Sequence, residues 1–498
     1  MPNVDLAASL ASKKSVLHHL SEHGLIFTVA FDIVVAIVVS ANVILTKRDT
    51  RATIAWVGLI CFTPLIGAVL YVLLGVNRIQ RRARLLRSSH QRPEPSEHQD
   101  ACPQNILDDT FGPNGAHLLS LVTLGNKIAK KPLLPGNLVL PLLEGDQAFP
   151  AMIQAIDGAT KSISLSTYIF DNDSIGRLFL DALKRAVARN IEVRVLIDDM
   201  GARYSWPTMT QALRRAGINC ATFMPPSFPW KFQYTNLRTH RKTLVVDGKL
   251  GFTGGINIRE GHCLASHPRH PVRDLHFQVE GPVVSQIQAV FADDWSFCTG
   301  DVLQGPAWFP QIEARGNVLA RGVPDGPDEH FESFRHILLG AIACAESSIM
   351  IVTPYFLPDA SLIVALNVAA LRGISVDIVL PGENNIALVK WASTSQLWQV
   401  VDRGCRVWIS PPPFDHAKLV VVDELVSIFG SSNWDPRSLR LNFEFNLDCY
   451  DSTLAARLKT LIQDRISRAR RLTLAELDGR SLGIKLRDGI ACLASPYL

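Results

Sequence analysis

Residues 240–248 read HRKTLVVDG and residues 416–423 read HAKLVVVD. Each places a lysine two residues after a histidine and an aspartate five residues after the lysine, in an otherwise apolar run. In an extended strand residues i and i+2 share a face, so His240 projects with Lys242 and His416 with Lys418. A single pair of this kind describes a core histidine beside a snorkelling lysine; two pairs at the same spacing are a repeat with a purpose. The match continues downstream, with Gly254 and Gly430 both 14 residues after their histidines and Asn257 and Asn433 both 17 after. Asp247 precedes Gly248 and would suit an Asp-Gly hairpin turn. Asp423 precedes Glu424, so a turn does not explain the second copy, and both aspartates join the catalytic candidates.

Two histidines, two lysines and two asparagines converging on one pocket suit a phosphate group. Lys242 and Lys418 bring positive charge, and the Asn257 and Asn433 amides donate to the non-bridging oxygens that gain charge in the transition state. One neutral imidazole attacks phosphorus while the other, protonated, donates to the departing oxygen. Each needs a carboxylate on its far nitrogen to fix the tautomer. Asp274 in VRDLHF and Glu444 in LNFEFN, 34 and 28 residues after their own histidines, are the candidates. No carboxylate cluster of divalent-metal spacing accompanies them, and HCLASHPRH at 262–270 is loop-like without a matching partner, so neither a metal nor another cofactor is expected.

The elements that must position these residues also occur twice. Residues 147–170 begin with helical spacing (Phe149, Ile153, Ile156) and end in a strand, and residues 332–356 do the same. A second strand follows in each half, at 191–199 and 374–381. Strand, helix and strand joined in this way predict an α/β fold, two similar units with mostly parallel sheets flanked by helices. The expected units are residues 106–310 and 311–498. Residues 88–105, polar and proline-bearing, predict a flexible tether.

At 498 residues the chain is too long for one core, and 47% hydrophobic against 19% charged residues points to membrane contact. The apolar excess lies in residues 25–46 and 53–75, each long enough to cross a hydrocarbon layer of about 30 Å. Residues 1–87 are therefore expected to hold an uncleaved transmembrane hairpin, despite Asp32 and Asn42 within the first span. Seven basic residues flank the hairpin outside (Lys13, Lys14, Arg78, Arg81, Arg82, Arg84, Arg87) against Lys47, Arg48 and Arg51 in its loop, which places both ends in the cytoplasm. Beyond residue 88 the chain carries 40 basic and 42 acidic residues, a balance that disfavours a nucleic-acid partner. Nine cysteines without a CxxC pair suit free thiols in a reducing compartment. Phe228, Trp230, Phe232 and Tyr234, interleaved with prolines, suit a membrane interface or a buried strand.

HRKTLVVDG with GGIN, and HAKLVVVD with GSSNWDPRS and NFEFN, resemble the two HKD signatures of the phospholipase D superfamily over roughly residues 137–450. The apolar segment RATIAWVGLICFTPLIGAVLYVLLG and the terminal LASPYL extend the resemblance to bacterial cardiolipin synthases of the phospholipase D type. The resemblance implies two phospholipase D-like units with mixed sheets behind a transmembrane hairpin. It implies a multi-pass protein of the bacterial inner membrane with its catalytic part in the cytoplasm. It implies that the substrates are anionic phospholipids of the bilayer, two phosphatidylglycerols condensed to cardiolipin and glycerol. One of His240 and His416 would become a covalent phosphatidyl-histidine, with His240 favoured, and support would cross between units, Glu444 orienting His240 and Asp274 orienting His416. The same residues with water as acceptor would make a hydrolase, and a non-catalytic scaffold would have no need of two intact pairs. Homo-oligomer or monomer is left open. The chain departs from the usual pattern at Val272, Trp434 and IREGH at 258–262, which bears on the acceptor alcohol.

Overall fold

The computed structural model describes residues 27–47, 50–74, 102–224, 237–328 and 330–495. The tether up to residue 101, the aromatic stretch 225–234 and the last three residues lie outside them. The chain divides into two compact units, Met1–Arg82 and Ala83–Leu498.

In the first unit Phe27–Thr46 is one continuous helix of 20 residues, the only described helix long and apolar enough to cross a membrane. The second expected span is different. It consists of two helices, Thr50–Phe62 and Pro64–Leu74, divided at Thr63. Pro64 has no N–H to continue the first helix and is pre-shaped to start a new one. The two then fold back on each other. The rings of Trp56 and Tyr71 stand 5.4 Å apart, whereas 15 residues of unbroken helix would separate them by about 22 Å. Tyr71 also donates to Asn42 Oδ1 at 3.3 Å and lies 3.1 Å from Thr46 Oγ1. Asn42 thus has a partner within this unit.

The second unit is built on one sheet. Its first repeat supplies β1 (Leu134–Leu143), β2 (Ser162–Thr167), β3 (Glu192–Asp198), β4 (Asn219–Phe223), β5 (Thr243–Val246), β6 (Leu250–Gly254), β7 (Val272–Arg273) and β8 (Leu275–Glu280). Its second supplies β9 (Val318–Asp325), β10 (Ser348–Val352), β11 (Ser375–Pro381), β12 (Arg406–Ser410), β13 (Phe414–Asp415), β14 (Leu419–Val422), β15 (Val426–Gly430), β16 (Glu444–Tyr450) and β17 (Arg470–Arg471). The order is β17-β12-β11-β10-β14-β15-β16-β9-β1-β8-β6-β5-β2-β3-β4 across 15 strands. β17 aside, the two repeats mirror each other about the antiparallel join of β9 and β1.

Within this sheet only β2, β3 and β4, and likewise β10, β11 and β12, run parallel, while β7 and β13 form a separate two-stranded parallel pair. The other long strands pair antiparallel, so the sheet is mixed rather than mostly parallel. The reason is local. Helices Ser174–Ala188 and Ala360–Leu371 make the crossovers that parallel pairing requires, and both are capped by an aspartate: Asp173 accepts from the Gly176 N–H, Asp359 from those of Ser361 and Leu362. The segments from β5 to β6 and from β14 to β15 have only three-residue turns, which can join antiparallel strands alone.

Both repeats contribute to one central apolar core. Val245, Phe277 and Val279 pack there with Leu419, Val421, Phe429 and Phe445, and the rings of Phe277 and Phe429 stack 3.6 Å apart. At about 1.5–3 kcal/mol for each fully buried large aliphatic or aromatic side chain, this shared core holds the repeats in register. The site depends on that register.

Candidate active site

His240 and His416 lie just ahead of β5 and β14, in extended lead-in segments rather than in the strand ladder. Each lead-in is stitched to the other repeat. Thr239 bridges Phe443 in parallel, and the His240 N–H donates to the Phe443 carbonyl at 2.8 Å. In the mirror position β13 pairs parallel with β7, and the His416 N–H donates to the Arg273 carbonyl at 2.7 Å. The next residue after Phe443 is Glu444 and the next after Arg273 is Asp274. The backbone pairing therefore carries each carboxylate to the histidine of the opposite repeat. His240 Nδ1 stands 3.3 Å from Glu444 Oε1, and His416 Nδ1 stands 2.8 Å from Asp274 Oδ2. Both carboxylate side chains are 0% exposed, while the imidazoles retain 21% and 16% exposure. Solvent and substrate can reach the rings but not the groups behind them.

The carboxylates are held from behind. Glu444 accepts from Ser431 Oγ at 2.5 Å and from Asn442 Nδ2 at 3.2 Å. Asp274 accepts from the Leu275 N–H at 2.8 Å. Gly255 is the counterpart of Ser431, and a Cβ there would sit 2.3 Å from Asp274 Oδ1. The preceding glycines let neighbouring backbone approach: a Cβ at Gly254 would meet the Leu275 carbonyl oxygen at 2.6 Å, and one at Gly430 the Phe445 carbonyl oxygen at 2.3 Å.

The two lysines lie within the site, 3% and 6% exposed. Lys242 Nζ donates to the His240 carbonyl at 2.6 Å, and Lys418 Nζ to the His416 carbonyl at 2.5 Å. Lys418 Nζ is also 3.0 Å from both ring nitrogens of His416, a position over the ring face. Burial, opposed by Glu444, Asp274 and Asp198, lowers Lys242 to about 8; burial together with Lys242, against Asp274, lowers Lys418 to about 7. Burial pushes His240 down to about 4, partly offset by Glu444, and drives His416 well below its usual range with the help of Lys418, Lys242 and His240. The two carboxylates differ. Burial raises Asp274 to about 6 against the pull of Lys418 and His262. Glu444 suffers the same burial, yet His240, Lys242 and Ser431 outweigh it and hold it below the ordinary glutamate range.

Asp247 and Asp423 are not brought to this site. Seven residues of extended chain separate each from its histidine, on the order of 20 Å. Asp247 accepts from the N–H groups of Thr160, Lys161 and Ser162 and from the Thr160 hydroxyl. Asp423 accepts from the N–H groups of Glu346, Ser347 and Ser348 and from the Ser347 hydroxyl. Each clamps the entrance of β2 or β10 to the turn ahead of β6 or β15. Turn chemistry explains both copies after all: φ is 54 and 65° at Asp247 and Gly248, and 49 and 54° at Asp423 and Glu424. Both turns open on two left-handed residues, and Glu424 is accepted there beside Lys459 at 2.5 Å.

The asparagines are buried near the histidine loops but partly committed. Asn257 Oδ1 accepts from the Ile169 N–H at 3.1 Å, which leaves its NH2 as the donor side. Asn433 donates to Asp435, and its Oδ1 has no hydrogen-bond partner. Residues that spacing did not single out also stand here. The Tyr168 ring is 4.4 Å from that of His240 and lies 5.6 Å from Lys242 Nζ, while Tyr355 and Phe414 stand 6.2 and 5.8 Å from His416. His276 follows Asp274 by two residues and is buried without a partner on either ring nitrogen. Buried His262 belongs to IREGH, and its Nδ1 is likewise unpartnered. The i, i+2 step from Asp274 could have flagged His276. Nothing in the repeat pattern pointed to His262 or Ser431. Among the described residues no group of three or more His, Cys, Asp or Glu side chains could hold a metal ion.

The family model described as "Cardiolipin synthase, PLD-like domain" matches residues 152–295 and 338–466, one stretch in each repeat. The major cardiolipin synthase ClsA of Bacillus subtilis (strain 168) is 31% identical over 467 residues, 91% of this chain and 95% of that protein. The chain belongs to the phospholipase D-type cardiolipin synthase family. A cardiolipin synthase of Staphylococcus aureus (strain N315) is 31% identical over 92% of this chain and 93% of its own length. A second model, "Phospholipase_D-nuclease N-terminal", matches residues 30–75, so the likeness includes the first unit. Among solved structures, phosphatidylserine synthase of Haemophilus influenzae Rd KW20 aligns with a TM-score of 0.60 at 15% identity, covering 76% of this chain and all of that one, a likeness of fold.

Proposed function

We propose that the protein is a membrane-anchored phosphatidyltransferase that condenses two phosphatidylglycerols into cardiolipin and glycerol through a phosphatidyl-histidine. The observation that carries this is the crossed pair of His–carboxylate dyads flanked by two buried lysines, in a chain of this family along nearly its whole length. A phosphodiester anion entering between Lys242 and Lys418 adds to the counter-charge of Glu444 and Asp274, and it also lets one imidazole hold a proton that burial would otherwise remove. His240 Nε2 attacks phosphorus and the bond to the glycerol oxygen breaks. The imidazolium of His416 gives its Nε2 proton to that oxygen, and glycerol leaves. The hydroxyl of a second phosphatidylglycerol then passes its proton to His416 and attacks the same phosphorus, expelling His240. Glu444 favours His240 as nucleophile, because an ionised carboxylate behind the ring stabilises the positive charge that attack creates. Tyr168, Asn257 and Asn433 serve the phosphate and its alcohol.

For the membrane arrangement, basic residues favour a cytoplasmic catalytic part in either topology. If both apolar stretches cross, the count is seven to three as above. If only Phe27–Thr46 crosses and the folded-back helices stay on the catalytic side, eight basic residues on that side face Lys13 and Lys14 on the other. A reporter at Ser89 should be cytoplasmic; protease access there from outside intact cells refutes it. The activity is tested by incubating the purified full chain with phosphatidylglycerol and identifying the lipids by mass spectrometry. Cardiolipin and glycerol in equal amounts are expected, and phosphatidic acid as the sole product would make the protein a hydrolase.

A further inference from the structure

Among the described residues one face of the helix Leu482–Leu493 has no partner. At 100° per residue, Leu482, Leu493, Leu486 and Ile490 fall within an arc of about 80°. They are 73%, 80%, 58% and 67% exposed. The opposite side is firmly seated. Asp488 and Ala491 are buried, Asp488 accepts from Arg480 at 2.6 Å and from Arg487, and Gln396 of helix Ala387–Gln396 donates to Cys492 Sγ. Arg487 stands 4.5 Å over the Trp391 ring. The apolar ridge therefore belongs to a docked helix and stands proud of the surface.

Two observations indicate what covers it. Lys485 and Arg487 are exposed and flank the ridge, Lys485 resting on the Asp478 carbonyl and Arg487 on Asp488 and Trp391, and residues 480–493 carry three basic residues to one acidic. Ala491 also shares a small apolar cluster with Tyr355 and Phe414, the rings that stand beside His416, so the helix backs directly onto the wall of the active site. We infer that this helix is an interfacial membrane contact, lying along an anionic bilayer with the ridge in the acyl boundary and Lys485 and Arg487 among the headgroups. It would hold the active-site wall at the lipid surface. A second copy of the chain fits less well, since a two-fold contact through this ridge would bring the flanking cations of both copies together. The inference rests on the reading that the substrate is a bilayer phospholipid.

The test uses the full chain in vesicles of phosphatidylethanolamine and phosphatidylglycerol. A photoreactive benzoylphenylalanine at position 486 should cross-link to lipid, whereas the same group at exposed Lys184 should not. Cross-links from position 486 only to another copy of the protein, or none, would overturn the inference. This readout requires no turnover, so it stands apart from the proposed reaction. In parallel, Leu486→Glu with Ile490→Glu should lower the rate on vesicles about tenfold or more, the loss expected when about one aliphatic side chain of burial is removed, and leave the rate on monomeric short-chain phosphatidylglycerol unchanged. Equal loss on both substrates, or on neither, would count against it. Failure of the unaltered protein on the short-chain substrate would instead refute the proposed reaction.

Discussion

Replacing Glu444 by glutamine tests the assignment of nucleophile. The amide keeps the shape of the side chain and can still accept from Ser431 or Asn442, but it removes a charge 3.3 Å from His240 Nδ1. At an effective dielectric constant of about 20, unit charges at that distance interact by about 5 kcal/mol. If roughly half a charge has developed on the imidazole in the transition state, about 2.5 kcal/mol is lost, or about 70-fold in rate. An amide NH2 turned toward Nδ1 would also trap the tautomer whose Nε2 carries the proton and cannot attack, which takes the loss toward about 10⁴-fold. The assay is quenched-flow formation of the acid-labile phosphatidyl adduct, using a phosphatidyl ester with a good leaving group. Such a substrate needs little protonation by His416, so Asp274→Asn should leave the adduct burst nearly intact and slow only its discharge to the acceptor. If Glu444→Gln forms adduct within threefold of the unaltered rate while Asp274→Asn forms none, His416 is the nucleophile and the argument from the ionised Glu444 is wrong.

Because Lys242 and Lys418 hold protons at about 8 and about 7 rather than the ordinary 10.5, the unfolded chain binds more protons through that window. These two groups should therefore make the ligand-free fold more stable as pH rises from about 7 to 10, while kcat/KM falls because phosphate binding needs the protonated forms. Thermal melts of Lys242→Met with Lys418→Met should lose part of that pH dependence, and an unchanged slope would refute it. Gly255→Ala forces a methyl against Asp274 and should cut cardiolipin formation about 10²-fold or more, while Ser431→Ala, which removes one donor from Glu444, should cost less than Glu444→Gln. Equal losses for the two changes at Glu444 and Ser431 would show that the hydroxyl, not the charge, is what matters. Asp247→Ala should destabilise the fold by about 1–3 kcal/mol through orphaned amides ahead of β2, with turnover per folded molecule near normal; denaturant unfolding beside active-site titration measures both. Chelators should leave activity unchanged, since lysines and amides provide the charge stabilisation that a metal otherwise brings.

What could be read from the sequence was what repeats at fixed spacing. The His-x-Lys pairs, the glycines and the asparagines recur because two copies of one unit meet about a common axis, and the parallel cores of β2–β3 and β10–β11 show as apolar runs separated by helices. What misled was local equivalence. Asp247 and Asp423 share the motif's spacing and so looked like part of its chemistry, but they repeat because each copy needs the same clamp on the same turn. A left-handed Glu424 costs about 1–2 kcal/mol, and the four donors gathered by its neighbour Asp423 indicate why the turn persists without a glycine. Likewise the second apolar stretch has the composition of a membrane span, and hydropathy is blind to the missing N–H of Pro64 that lets the chain fold back.

The unequal environment of the two carboxylates lies deeper still. Glu444 and Asp274 hold equivalent places in the pairing, and both are wholly buried. Yet at the position beside each, Ser431 stands in one repeat and Gly255 in the other. The hydroxyl donates to Glu444 and helps keep it ionised; the glycine can only make room, and Asp274 drifts upward to about 6. The hydroxyl at 431 adds to the larger pull of His240 and Lys242 on Glu444, and the glycine at 255 offers Asp274 no such donor. In the proposed reaction this difference would suit the Glu444 dyad to attack and the Asp274 dyad to pass a proton.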